Sequence, residues 1–186
     1  MENLKKVIQL LSGRFDNSEQ FQSLSEEEQA QFPFAVHNNT LLNDLIMNRP
    51  KDFDGVFLHE ESYYTLKNKE KFKSDIFLFS TDESGDVVLK SITVPKELMN
   101  AKFNELKNID FSDLSVSDKF VPLHYTEQDG MFTGESHSMF TKTTAFILKQ
   151  ELSDEALVIK EELFNGAKRV FGFDRPIIYK RILSKN

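Results

Sequence analysis

The densest run of reactive side chains lies between Val56 and Leu66, where Val-Phe-Leu-His-Glu-Glu-Ser-Tyr-Tyr-Thr-Leu offers an imidazole, two carboxylates, two aliphatic hydroxyls and two phenols within eleven residues. Side chains alternate across a strand, so one face carries Phe57, His59, Glu61, Tyr63 and Thr65. The other carries Val56, Leu58, Glu60, Ser62, Tyr64 and Leu66. Each face begins apolar and ends polar. A strand that runs from a packed floor into a polar ligand cavity has this pattern, and so does a strand with a frayed, solvated end. Carboxylates and phenols at this density suit proton transfer or the binding of N–H donors.

Other reaction classes find little support. The chain has no cysteine, which removes disulfides, Cys-based zinc sites and a cysteine nucleophile together. His37, His59, His124 and His137 have no local metal-ligand spacing, so no metal site is expected. His124 and Tyr125 sit beside a hairpin where they could reach a pocket mouth. Seven glycines are scattered over separate turns, so no phosphate-cradling loop forms, and no Ser is framed as Gly-x-Ser-x-Gly. The excess of 30 acidic over 23 basic residues gives a net charge of −7, which disfavours nucleic acid. The apolar run near the amino terminus is too short and interrupted for a signal peptide or a membrane span, and the expected setting is cytoplasmic.

The 186 residues suit one domain, and 18 Phe with no Trp imply an aromatic-rich interior or ligand cavity. Leu4, Val7, Ile8 and Leu11 form one helical stripe that Gly13 ends. Asp16, Asn17 and Ser18 can cap a second helix, and Ser25 with Glu28 a third, before Pro33 closes this helical segment over residues 1–32. Residues 33–186 alternate like strands: Phe34 to Leu42, Val56 to Leu66, Ile76 to Ser80, Val87 to Val94, Phe120 to Thr126, Met131 to Ser136, Met139 to Lys149, Leu157 to Phe164, Lys168 to Phe173 and Ile177 to Leu183. A basic connection precedes Ile76. One inserted helix is expected near residues 96–107, led by Pro95 and striped by Met99, Phe103 and Leu106. Asp129-Gly130 and Asn165-Gly166 are hairpin signals, and Gly172 suggests a bulge or a close approach of backbones. Eight to ten short, regularly spaced strands favour an antiparallel sheet that closes or nearly closes.

Three stretches, in order, resemble the CpcT/CpeT chromophore lyases, the T-type phycobiliprotein lyases. Gly13-Arg14-Phe15-Asp16-Asn17-Ser18-Glu19-Gln20 is similar to that family's opening signature. Phe57-Leu58-His59-Glu60-Glu61-Ser62 resembles its aromatic strand ending in Glu-Gln, with Glu61 falling on the Glu. Val170-Phe171-Gly172 resembles its Val-Trp-Gly, and Pro176, Tyr179 and Arg181 follow at the spacing of its terminal pattern. Where the family carries Tyr-Arg-Gln-Arg, this chain has Phe72-Lys73-Ser74-Asp75.

The resemblance implies a mainly β, calycin-like antiparallel β-barrel with an N-terminal helical segment, often dimeric. It implies a protein that binds an open-chain tetrapyrrole, a phycocyanobilin-like bilin, and attaches it to a cysteine of a phycobiliprotein β subunit or other acceptor. No further cofactor is required, and no nucleic acid or membrane partner is expected. Glu61 becomes the candidate catalytic carboxylate, with Tyr63, Tyr64, Phe72, Lys73 and Asp75 as candidate ligand-binding residues. Two alternatives stand beside it: a barrel that binds a tetrapyrrole or other apolar ligand without transfer, and a structural or partner-binding barrel whose interior is filled by Phe.

Overall fold

In the computed structural model, which describes residues 2–183, helix α1 (Glu2–Leu11) leads into a short strand, β1 (Gly13–Asp16). Two single-turn helices follow, α2 (Ser18–Gln22) and α3 (Glu26–Gln29), then β2 (Phe34–Leu41), β3 (Ile46–Met47), β4 (Val56–Leu66), β5 (Lys69–Thr81) and β6 (Val87–Thr93). The remainder contains β7 (Ile109–Asp110), β8 (Ser115–Val116), β9 (Leu123–Gln128), β10 (Met131–Met139), β11 (Thr144–Leu152), β12 (Leu157–Asn165), β13 (Lys168–Phe171) and β14 (Ile177–Arg181). Ten of these strands pair in the ring β11-β10-β9-β6-β5-β4-β2-β1-β14-β12, and β12 pairs back onto β11. Every pairing in the ring is antiparallel, so the barrel closes as the strand spacing predicts.

Helix α1 plugs one end. Leu4, Val7, Ile8, Leu10 and Leu11 are buried against Phe15, Leu58, Phe79, Val87, Leu123, Tyr125, Phe132, Leu152, Leu157 and Tyr179 in one core. Its last carbonyls would be orphaned at the seam, and the Arg181 guanidinium takes them up, donating to Gln9 and Leu10 at 2.9 Å each and to Ser12. The guanidinium also lies 4.6 Å from the centre of the Phe15 ring. Gly13 is required there: its φ is +126°, and a Cβ would stand 2.5 Å from the Arg181 side chain.

The Ser25–Glu28 capping box forms as expected. Asn17 does not cap its helix; it is fully buried, donating to Pro33 O at 3.0 Å and accepting from Ala35 N at 2.8 Å, and Asp16 accepts from Ser18 instead. Gln20 bridges to the Pro176 carbonyl and the Ile178 amide, both at 3.0 Å. The helical segment is thus tied to β2 and β14, the two strands that flank β1 in the ring.

The inserted helix expected near 96–107 is absent. Two 3-10 turns, Lys96–Leu98 and Phe103–Glu105, stand there, separated by Asn100 at φ 56°, a left-handed conformation that no α-helix can contain. Residues 94–116 instead form a strap flattened on the outer wall. Leu98, Ala101, Phe103, Leu106 and Ile109 pack down on Phe57, Ile76 and Ile92 in a second core. The barrel wall is therefore apolar on both sides over part of its area. Among the described residues no helix is long and apolar enough to cross a membrane.

Candidate functional site

The register of β4 decides which of its groups can meet. Leu58 belongs to the barrel core and Phe57 to the core beneath the strap. By alternation Glu60, Ser62 and Tyr64 face the lumen, and His59, Glu61 and Tyr63 face outward. On β5, Asp75 pairs with Glu60 and Lys73 with Ser62, which puts both on the lumenal side, while Phe72 pairs with Tyr63 outside. The six residues singled out in the sequence do not form one constellation. Glu61, Tyr63 and Phe72 lie on the outer wall; Tyr64, Lys73 and Asp75 lie in the lumen.

The outer group holds the strap. Glu61 accepts from the Phe103 amide at 2.8 Å, from Asn38 at 3.2 Å and from Tyr63 at 3.3 Å. Burial would raise its carboxyl, and these donors together with nearby His59 outweigh that, so it lies below its ordinary value. Ser74 at 2.8 Å and His59 Nε2 at 3.1 Å both donate to the Ala101 carbonyl, and the Lys102 ammonium sits 5.8 Å from the Phe72 ring centre. Burial pushes the His59 imidazole below its ordinary value, against the raising influence of Glu61. A shallow groove of about 500 Å³ runs beside this latch, lined by Arg14, Asn38, Thr40, Glu61, Tyr63 and Lys102 among others.

The lumenal group is a hydrogen-bonded chain that crosses the barrel. Glu60 accepts from Ser62 at 3.1 Å, and its other oxygen lies 3.5 Å from His37 Nδ1 on β2. His37 Nε2 lies 2.9 Å from the Tyr179 hydroxyl of β14 and 3.3 Å from that of Tyr64. Tyr64 donates to Glu161 of β12 at 3.3 Å. With Nε2 accepting from Tyr179, Tyr64 is free to donate to Glu161, while the buried Nδ1 faces Glu60 at 3.5 Å and has no partner within hydrogen-bond geometry. His37 is 1% exposed and Glu60 12%. Lys73, at 58%, binds Asp75 at 2.8 Å and stands where the lumen opens.

The two glutamates at the ends of this chain are driven apart. Burial would raise Glu60, and the facing His37, with help from Lys73 and Ser62, holds it below its ordinary value. Burial dominates at Glu161 and leaves it above its ordinary value, reinforced by Glu60 and Asp75 and opposed by Lys73 and His37. Burial also pushes the Tyr64 and Tyr179 phenols well above theirs, with the Glu161 charge adding to it. Burial would lower the Lys73 ammonium, but Asp75, Glu161 and Glu60 together push it up. Two carboxyl groups shifted in opposite directions and linked by an imidazole and two phenols are the arrangement that acid–base exchange calls for.

Beside Lys73 and Asp75 the barrel wall itself parts, and none of Glu60, His37, Tyr64, Tyr179 and Glu161 lines the opening. β5 and β6 pair from Thr81 to Phe77 and then part, leaving Lys69 to Asp75 hydrogen-bonded to β4 alone. A cleft of about 360 Å³ opens at the parting, lined by Lys73, Ser74, Asp75, Ile92, Thr93, Val94, Leu98 and Met99 among others. Behind Glu161 the wall is sealed. Gly172, at φ +107°, lets its backbone lie so close that a Cβ would be 2.4 Å from the Glu161 carbonyl. The free space next to Tyr64, Glu161 and Tyr179 amounts to about 10 Å³. Among the described residues no cluster of three His, Asp or Glu has the geometry of a metal site.

Sequence reasoning did not reach Glu60, His37 or Glu161 as a set. They come from three strands distant in the chain, and parity along β4 alone does not tell lumen from exterior. No family model matches the chain, and no curated protein or solved structure matches it either.

Proposed function

We propose that this chain is a calycin-like binding barrel of the T-type bilin lyase lineage, which receives an open-chain tetrapyrrole through the β5/β6 cleft and presents it to a cysteine of an acceptor protein. The observation that carries the reading is the Glu60–His37–Tyr64–Glu161 chain, with its two carboxyl groups held on opposite sides of their ordinary value. Pyrrole N–H groups need a carboxylate acceptor, which Glu60 supplies. Joining a thiol to a carbon–carbon double bond of the pigment forms one S–C bond, takes up the thiol proton and delivers a proton to the neighbouring carbon. Glu60 takes the thiol proton and, once protonated, gives one to the neighbouring carbon, while His37 and Tyr64 link it to Glu161 as a buried proton reserve. In this reading Glu60 has the role that the resemblance assigns to Glu61. A cytoplasmic setting, where the acceptor resides, belongs to the same reading.

The test is a visible-absorbance titration with phycocyanobilin and biliverdin. The wild type should shift the pigment spectrum, Glu60→Gln should weaken binding by about tenfold or more, and Glu61→Gln should leave it within about twofold. Absence of any shift in the wild type overturns the proposal. If pigment binds, adding a cysteine-bearing β subunit separates lyase from carrier, because only a lyase raises covalent attachment above the spontaneous level. A second reading, a barrel that acts through its surface, is favoured by the packed lower lumen. Phe15, Phe79, Tyr125 and Phe132 fill it beside α1. That reading predicts no spectral change with either pigment.

A further inference from the structure

A long strand edge is left without a neighbour in this barrel. Beyond Ser91, strand β6 stops pairing with β5 and turns to β8, with Ile92 opposite Val116 and Thr93 opposite Ser115. The place beside the first half of β5 is therefore vacant: Lys69 to Asp75 pair with β4 alone, and among the described residues no other backbone hydrogen bond reaches them. Such a stretch extends about 20 Å, and about half of its N–H and C=O groups point away from β4. Backbone groups presented in that way are what an added strand binds.

Alternation gives the two sides of the vacancy different chemistry. On one side stand Lys69 and Lys71, exposed, with no carboxylate of the described residues within ion-pair distance. On the other, half-buried Phe72 packs on Tyr63 with ring centres 5.0 Å apart, and Ser74 donates to the Ala101 carbonyl of the strap at 2.8 Å. Where the vacancy meets the strap it widens into the cleft of about 360 Å³, with Ile92, Val94, Leu98 and Met99 along it. Met99 is exposed there, although Leu98 and Ala101 of the same strap pack down on the wall. An incoming strand meets ammonium groups at alternate positions and apolar surface at the positions between.

We propose that the free edge of β5 takes up an extended segment of a partner protein by strand addition, with acidic and apolar residues alternating along that segment. Its carboxylates stand opposite Lys69 and Lys71, and its apolar side chains lie against Phe72 and in the cleft beside Leu98 and Met99. Its backbone makes the hydrogen bonds that β6 leaves unmade. The inference does not rest on the lumenal reading, because no pigment is needed for it. Salt should weaken the charge contribution and leave the backbone contribution in place.

The experiment follows the fluorescence anisotropy of two labelled octapeptides with the full chain, one alternating Glu with Val and one alternating Lys with Val. The wild type should bind the Glu peptide about tenfold more tightly than the Lys peptide, and a Lys69→Glu/Lys71→Glu variant should reverse that order, which a misfolded variant cannot do. A Glu peptide N-methylated throughout donates no backbone hydrogen bond and should lose binding. Saturating Glu peptide should slow amide exchange within Lys69 to Asp75 and leave β9 to β12 unchanged. A wild type that binds neither peptide, or both equally, overturns the proposal, as does an N-methylated peptide that binds as well as its parent. Exchange at Lys69 to Asp75 that slows with protein concentration alone assigns the edge to a second copy and overturns it too.

Discussion

Glu60 and Glu61 are neighbours in sequence, and the barrel wall runs between their side chains. Glu61 is surrounded by fixed partners, a backbone amide, an amide side chain and a phenol, and its charge is used to hold a strap. Glu60 is linked to an imidazole and through it to two phenols and a second carboxyl group, all of which can exchange protons. The number of contacts is similar. What differs is whether the partners can change state: a backbone N–H can only donate, whereas His37, Tyr64 and Glu161 can each donate or accept. The two carboxylates are told apart by their partners' proton chemistry, not by burial.

The largest effect should come from the packing that joins the two faces. Phe57→Ala removes the ring that the strap packs upon and should cost about 3–5 kcal/mol, with hydrogen-exchange protection of residues 98–109 collapsing before that of β9 to β12. Simultaneous loss in both regions would show that the strap and the barrel are one cooperative unit. Next come the paired truncations. Glu60→Ala leaves the buried His37 Nδ1 with no acceptor facing it and opens a gap beside Ser62, and should cost up to about 3 kcal/mol in denaturant unfolding. Glu61→Ala orphans the Phe103 amide and should cost about 1–3 kcal/mol, concentrated in faster exchange at Phe103. A Glu61→Ala variant that slows or spares exchange there would contradict the latch.

The smallest effect tests the proton chemistry. Glu161 is held above its ordinary value of 4.5, so the stability it contributes is complete below that value and is lost as pH rises through the folded-state value. Glu60 is held below 4.5, so its contribution is present above 4.5 and is lost on acidification. Glu161→Gln keeps the bond from Tyr64 and removes the titration. Relative to wild type it should gain stability as pH rises above 4.5, measured by melting at each pH. A pH-independent difference would mean that Glu161 titrates normally.

Much of this architecture is legible from hydrophobic alternation and turn residues. β4 lies where its pattern puts it, and Asp129-Gly130 forms the expected turn, with φ 52° and 84°. The elements that were missed lack those signals. β1 has one buried residue, Phe15, too few to establish a period of two. The first half of β5 alternates lysine with Glu70, Phe72 and Ser74 because its free edge stands in solvent, and it reads as a connection. The strap carries a helical stripe of Met99, Phe103 and Leu106, yet it follows a wall rather than an axis, and Met99 remains 60% exposed. The two faces of β4 were assigned correctly, but parity gives no sign, and only the partners of Leu58 and Phe57 tell which face looks inward. The opening signature from Gly13 to Gln20 turns out to be largely architectural. Gly13, Phe15, Asp16, Asn17 and Gln20 each secure the junction between the helical segment and the barrel.

The parting of β5 from β6 also bears on how copies of this chain behave in a crowded solution. A strand with one unpaired edge offers a ready template for another chain's backbone, and a seven-residue edge is long enough to seed sheet extension. Here that edge runs from Lys69 to Asp75, with Lys67 at its tip, so two copies approaching edge to edge bring lysine rows of equal sign together. The same parting of the wall is thereby kept from serving as a seam for self-association.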